Sequence, residues 1–537
     1  MRRINLPLLT LSLFFVCPSF AHSDNGPVTT VDSLNTEWLN WFNRDPLDGK
    51  IQGASVYRAY SELLTDKKPK KKIVVAIIDS GVDTAHQDLQ GKFWTNQDEI
   101  PGNGKDDDNN GYIDDIHGWN YLGNTNGENI NEENLEYTRL VRELGARFDD
   151  LEAQEMKVYQ ECKDRLEKEL KEYEEMHKNI TSFKTNFENT DEIMRNYFGN
   201  DRYTKRDVES ISPGTSNMAR AKAFRLYCFE KNLTLTELDD VLDHYSVYLD
   251  YYLNVDWNAR KVVGDDPNDL EDRKYGNNDV TGPRSDHGTS VAGVVAAVRN
   301  NGVGIDGIAE SVEIMVLRTV PKGDEYDKDV ALAIRYAVDN GAQVINMSFG
   351  KDYSPNRSFV DEAIRYAEEN NVLLVHAAGN NGENIDKNNH YPVNHYLDGS
   401  PAKTLITVGA SSSKAKKNLP GSFSNYGTEQ VDLFAPGVNI VSLAPNNRYD
   451  VSDGTSLASP VVAGVAALVW SYYPDLTAVQ LKEILLRSVR SESKRKVICP
   501  TEESDKKSKV RFAELSRTGG LVDAYQALIM AEEYMAQ

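Results

Sequence analysis

The stretch GTSLASPVVAGVAALVW, residues 454–470, places Ser456 between a glycine turn and a long apolar helix. This is the sequence context of an activated serine nucleophile. A serine hydroxyl is a poor nucleophile at its free pKa, so chemistry at Ser456 needs a base, a residue that orients the base and donors for an oxyanion.

Three other stretches offer those groups. In KKIVVAIIDSGVD, residues 73–78 form a continuously apolar, β-branched run, the pattern of a strand buried on both faces of a parallel sheet. Asp79 stands at its C-terminal end, where open α/β sheets build their sites, and Ser80 and Gly81 break the strand. In DHGTSVAGVVAAV, His287 opens a helix whose small residues Ala292, Gly293 and Ala296 permit close packing. In LLVHAAGNNG, a further apolar strand leads to Asn380, whose amide can donate to an oxyanion together with the backbone N–H of Ser456. Each motif alone has a plainer reading: a capping aspartate, a structural histidine, an Asn-Asn-Gly turn.

Taken together and in this order, Asp79, His287, Asn380 and Ser456 closely resemble the motifs of the subtilisin-like serine peptidases, the subtilase family. The resemblance runs from about residue 40 to Gln537, with one long interruption. It implies an α/β fold, a parallel β-sheet with helices on both faces, and peptide-bond hydrolysis through an acyl-enzyme. Ser456 would attack, His287 would move the proton, Asp79 would orient the imidazole, and Asn380 would bind the oxyanion. NMSFG matches the family's substrate-binding edge, where Ser348, Phe349 and Gly350 would pair with an extended peptide through backbone groups. The expected function is a serine endopeptidase acting on peptide or protein substrates, without an organic cofactor. A catalytically silent binding protein and an exopeptidase that trims peptide ends are the alternatives. Leu457 stands where many relatives carry an oxidisable methionine, and Ser290 where many carry a second histidine.

The remaining pattern alternates strands at 314–317, 344–347, 372–375 and 405–408 with helix-like stretches at 330–340 and 359–370, as in a parallel sheet covered on both sides. GGLVDAYQAL, 519–528, resembles the family's last strand and helix, with no sorting or adhesion domain expected after it, and 491–509 reads as a surface loop.

The interruption falls between the aspartate and histidine motifs. From 134 to 256 the chain is rich in Glu, Lys, Leu and Tyr, and Leu144, Phe148, Leu151, Tyr159, Cys162, Leu166, Leu170, Tyr173 and Met176 recur at helical spacing. These predict one long amphipathic helix. A second stripe, from Leu238 to Leu253, predicts its antiparallel partner, giving a helical hairpin or cap near the active-site rim that could screen substrates or dock a partner.

PGNGKDDDNNGYIDDIHGWN sets Asp106, Asp108 and Asn110 at alternate positions before Gly111 and Asp114, which approximates the opening of a calcium loop. The twelfth position is His117, so the full EF-hand pattern fails. Structural calcium is expected here, and resemblance to the family's other calcium site adds Asp88 and Asn300. The acidic run at 264–279 is a weaker candidate.

Residues 1–21 read as a signal peptide: Arg2 and Arg3, an apolar stretch at 6–16, then Ser19 and Ala21 before a cut. A lipid anchor at Cys17 is less apt because Val16 before it is bulky. Export to a periplasmic or extracellular setting follows, and no later stretch reaches the ~20 apolar residues of a transmembrane helix. Residues 22–133 and 257–537 are then two parts of one catalytic domain around the 134–256 insertion, with too little chain before Asp79 for a separate inhibitory prodomain. The formal net charge of −23 excludes a nucleic-acid partner. Cleavage after Ala21 leaves Cys162, Cys228 and Cys499, an odd set, of which Cys162 and Cys228 are the expected bridge.

Overall fold

The computed structural model describes residues 38–414, 416–501 and 508–536; the expected signal peptide at 1–21, with Cys17, lies outside the described residues. Its centre is a nine-stranded sheet in the order β10-β13-β7-β6-β5-β4-β1-β3-β2. The strands are β1 (Ile73–Asp79), β2 (Gly118–Asn120), β3 (Val312–Arg318), β4 (Val344–Met347), β5 (Leu373–Ala377), β6 (Leu405–Ser411), β7 (Leu433–Pro436), β10 (Arg490–Ser491) and β13 (Gly520–Leu521). All neighbours pair parallel except β10 with β13. The antiparallel pair β8 (Ile440–Ala444) and β9 (Arg448–Ser452) stands apart. So does β11 (Lys496–Ile498) with β12 (Lys509–Arg511), which puts a short ribbon into the stretch expected to be a loop.

Strand β1 explains the layering. Ile73, Val75 and Ile77 point into one core with α8 (Asp286–Ala296), α11 (Thr455–Tyr472), α12 (Ala478–Arg487) and α13 (Ala524–Met535). Ala76 and Ile78 point into the other with α9 (Asp327–Asp339) and α10 (Arg357–Glu369). Apolar residues on both faces are what a parallel strand between two helical layers requires. The first-layer core also takes in α1 (Val56–Arg58), which a π-helical turn, Ala59–Leu63, extends. Helix α11 is long and apolar enough to cross a membrane, but its residues are wholly buried as the central core helix.

The insertion is more than a hairpin. It holds α2 (Glu136–Ala146), α3 (Ala153–Phe198), α4 (Lys205–Ser210), α5 (Ser216–Glu230), α6 (Leu235–Val247) and a π-helical turn, Tyr248–Tyr252; α7 (Arg260–Val263) follows. The expected single helix breaks between Ala146 and Ala153, where Glu152 and Glu155 build a capping box that starts α3. At 46 residues, α3 extends roughly 70 Å. Its near end packs Cys162 and Leu166 against Tyr137, Leu140 and Leu144 of α2 and against Leu253, while its far half packs Phe187 against Cys228 and Leu238. The expected Cys162–Cys228 bridge is therefore absent. Both thiols are free and buried, and Cys228 belongs with Phe187, roughly 37 Å further along α3 than Cys162.

Candidate active site

Asp79, the last residue of β1, is buried, and its Oδ1 accepts hydrogen bonds of 2.7 Å from Ser80 N and from His287 Nδ1. His287 lies in the first turn of α8 with its side chain 27% exposed. Gly288 makes the approach possible: a Cβ there would meet the Gly81 carbonyl oxygen at 2.1 Å. The bond to Asp79 engages Nδ1, so Nε2 is the ring nitrogen on the side away from that carboxylate. Burial, the largest single influence, disfavours the imidazolium. The charge and hydrogen bond of Asp79, with the charge of Asp286, outweigh it and raise the His287 pKa above its ordinary 6.5.

Ser456 sits in the first turn of α11, where the chain enters through an extended Gly454. A Cβ on Gly454 would lie 2.7 Å from Ser456 Oγ, 3.6 Å from Ser456 N and 3.8 Å from Asn380 Nδ2. The hydroxyl and two donors thus converge on the space that this glycine leaves open. The Asn380 amide has a fixed orientation. Its Oδ1 accepts at 2.9 Å from Thr455 N, which can only donate, so Nδ2 is the atom turned toward that space. Thr455 Oγ1 also donates to Asn380 Oδ1, at 2.9 Å.

Ser348, Phe349 and Gly350 follow directly on β4, and each makes a contact of its own with neighbouring elements. Ser348 Oγ receives Asn346 Nδ2 at 2.9 Å, donates to Ser456 O at 2.8 Å and lies 2.9 Å from Ser459 Oγ. Phe349 O accepts from His376 Nε2 at 2.8 Å. Burial and the neighbouring His390 push His376 down to about 3, so it stays neutral. The rings of His376 and His390 stack with centroids 5.5 Å apart. Gly350 leaves room for His390, whose Nε2 would be 2.4 Å from a Cβ. Leu457 beside Ser456 is buried, and Ser290 O accepts from Ser442 Oγ at 2.6 Å.

The acidic loop gathers differently from its sequence pattern. Ligand oxygens of Asp106, Asp108 and Glu99 lie within 4.8 Å of one another. Glu99 escaped the sequence reading because it precedes the motif; it folds back to accept from Asp107 N, Asp108 N and Asp114 N. Asn110 donates its amide to Asp108 and Asp115, and Asp114 is occupied by the backbone of Asn103 and Gly104. At the second place, Asn301 Nδ2 donates to Asp88 Oδ1 at 2.7 Å. Asn301, rather than the expected Asn300, faces Asp88; Asn300 adopts a left-handed φ of 56° and gives its N–H to Asp306.

Comparisons with known proteins agree with this architecture. A family model described as the subtilase family matches residues 70–514. A thermophilic serine proteinase from Bacillus sp. (strain AK1) is 42% identical over 35% of this chain and 43% of its own length. A thermostable alkaline protease from Halalkalibacterium halodurans is 37% identical over 37% of this chain and 50% of its own length. Subtilisin DY from Bacillus licheniformis is 38% identical over 37% of this chain and 68% of its own length. The chain thus spans half or less of the first two relatives. The matched model covers most of this chain, from just before β1 through β12. On these grounds, the chain belongs to the subtilase family.

Proposed function

We propose that this protein is an exported serine peptidase that hydrolyses peptide bonds with Ser456 as nucleophile, His287 as general base and acid, and Asp79 as the group that orients His287. The observation that carries the reading is the 2.7 Å bond from His287 Nδ1 to Asp79 at the C-terminal end of β1, with Ser456 and Asn380 gathered around Gly454. His287 Nε2 takes the Ser456 proton as Oγ bonds to the scissile carbonyl carbon, and the carbonyl electron pair moves onto oxygen. Asn380 Nδ2 and Ser456 N stabilise that oxyanion. Its collapse breaks the C–N bond, His287 delivers the proton to the amine, and water then releases the acyl group by the same route.

The residues before the scissile bond pair with the Ser348–Gly350 edge as an added strand. The sequence pattern favours internal cutting, whereas the border of this cleft, described below, favours chain ends. Calcium fits two places by donor chemistry: carboxylates of Glu99, Asp106 and Asp108, and the Asp88–Asn301 loop, all hard oxygen ligands. Calcium would there tie loops together. Labelling by a serine-directed phosphonate tests the central reading. Covalent label on Ser456 that disappears in Ser456→Ala supports it, and an unlabelled, inactive wild type shifts the protein to the binding alternative.

A further inference from the structure

In the sheet β1 lies between β4 and β3, so the segments that follow β4 and β3 flank the end of β1 that carries Asp79. Ser348 stands at the nucleophile, its hydroxyl on the Ser456 carbonyl. Lys351, directly after Gly350, is buried, and its side chain reaches the segment between β3 and α9. Its Nζ contacts Glu325 O at 2.7 Å, Asp327 Oδ1 at 2.9 Å and Glu136 Oε2 at 2.7 Å. Glu136 belongs to α2, the root of the helical insertion. Arg139 of the same helix donates to the carbonyls of Asp324 at 2.7 Å and Glu325 at 3.0 Å.

The chain leading into α2 locks the same segment through its backbone. Glu133 N donates to Lys322 O at 2.6 Å, and Asp324 N donates to Asn134 O at 3.1 Å. Arg165 of α3 holds Asp352 at 2.7 Å, and Tyr353 packs into the cluster around Cys162. A peptide that adds as a strand needs unoccupied backbone groups on the edge it joins. Past Gly350, Lys351 meets Glu136 and the Glu325 carbonyl, which Arg139 also holds, so the insertion ties the segment after β4 to the segment after β3. The edge left between nucleophile and closure, Ser348–Gly350, is three residues, about 10 Å of extended chain.

The closed end also carries surplus negative charge. Among the described residues, the carboxyl groups of Glu133, Glu136, Asp324, Glu325 and Asp327 stand near the buried cations Arg139 and Lys351, while Arg260 nearby is engaged by Asp265 and Asp329. Glu133 is fully buried, and its Oε2 has no hydrogen-bond partner among the described residues. Burial pushes both Asp324 and Glu325 above the ordinary carboxylate range. Buried carboxylates in excess are costly unless a cation joins them. The α-ammonium at the start of a peptide is a cation that arrives by the cleft itself.

Resting on the serine-peptidase reading, we propose that the root of the insertion closes the acyl side of the cleft. The enzyme then accepts free N-terminal ends and releases fragments of about three residues. The insertion is in this sense a ruler that measures from the chain end to the scissile bond.

The test uses the full chain and one unstructured peptide several times longer than the free edge, with its amino end either free or acetylated, and reads products by mass over time. The expected result is stepwise loss of short fragments from the free peptide, with cleavage of the acetylated one slower by at least ~30-fold, the loss of one buried charge pair. Internal cuts at equal rates in both peptides overturn the proposal. Phosphonate labelling of Ser456 in the same preparation separates the two failures: an unlabelled protein sinks the serine-peptidase reading, and a labelled one that cuts internally sinks only the ruler. Glu325→Gln, checked for an unchanged melting transition, is expected to raise KM for the free peptide and shrink the penalty for acetylation. An unchanged penalty removes Glu325 as the ammonium's partner.

Discussion

Ser348 Oγ donates a 2.8 Å hydrogen bond to the carbonyl of Ser456, the carbonyl that Pro460 leaves without its helical partner. Four residues after Ser456, proline has no N–H to give, so a side chain from the neighbouring strand end supplies the donor. Ser348, at the end of β4, and Ser456, at the start of α11, are thereby joined by one hydroxyl. Ser348→Ala orphans a buried carbonyl and should lower unfolding free energy by ~1–3 kcal/mol, measured by urea denaturation. Unchanged stability would show that water or another donor replaces it.

Asn380 is best tested with Asn380→Asp. The carboxylate keeps the acceptor for Thr455 N but removes the donor aimed at the oxyanion. The expected outcome is a fall in kcat of ~100-fold or more with KM little altered. A pure KM effect would place Asn380 in binding instead.

The His287 pKa, raised above 6.5 mainly against burial by Asp79, fixes the sign of two pH effects. Catalysis needs neutral imidazole, so kcat/KM should rise with pH through a midpoint above 6.5, and Asp79→Asn should move that midpoint down. For stability the direction is opposite. A raised folded-state pKa contributes stability that is fully present below 6.5 and is lost as pH climbs through the folded value. A pH–rate profile and melting curves across that window check both.

Chelation of calcium should lower the melting temperature of the wild type, and Glu99→Gln should weaken that response, because Glu99 shares the cluster with Asp106 and Asp108. Equal melting with and without chelator in both proteins would leave these carboxylates as loop fasteners only.

Leu457 predicts slow loss of activity in peroxide, since no thioether adjoins the nucleophile. Leu457→Met should make inactivation faster and traceable to sulfoxide at that position by peptide mass. Rapid loss in the wild type would point to oxidation elsewhere.

The strand ends and helix starts that carry Asp79, His287, Asn380 and Ser456 were legible because a buried parallel strand and a close-packed helix each leave a dense apolar signature beside a glycine. The calcium-type cluster was half legible: Asp106 and Asp108 belong to a local motif, while Glu99 joins only through a turn. Asn300 and Asn301 are adjacent asparagines, and only the backbone direction decides which faces Asp88. The insertion's extra helices hid behind one long polar stretch, because breaks such as the one after Ala146 are set by capping geometry rather than by hydrophobic period. Lys351 and Arg139 were invisible as buried residues, since charged side chains read as surface until their partners are in place.

The two ends of the insertion are tied to each other where it leaves the core. Asn134 Nδ2 donates to Tyr251 O at 2.7 Å and to Asn254 O at 2.9 Å, and Leu135 N donates to Tyr252 O at 3.1 Å. For the rest of the chain, more than a hundred residues therefore behave as a short loop once this knot has formed. Asp79 and His287 are 208 positions apart in sequence. Chain closure cost grows only with the logarithm of length, so carrying the arm adds less than ~1 kcal/mol to bringing them together. A large accessory body could thus be acquired, lengthened or replaced over evolutionary time with little entropic burden on assembly of the catalytic core.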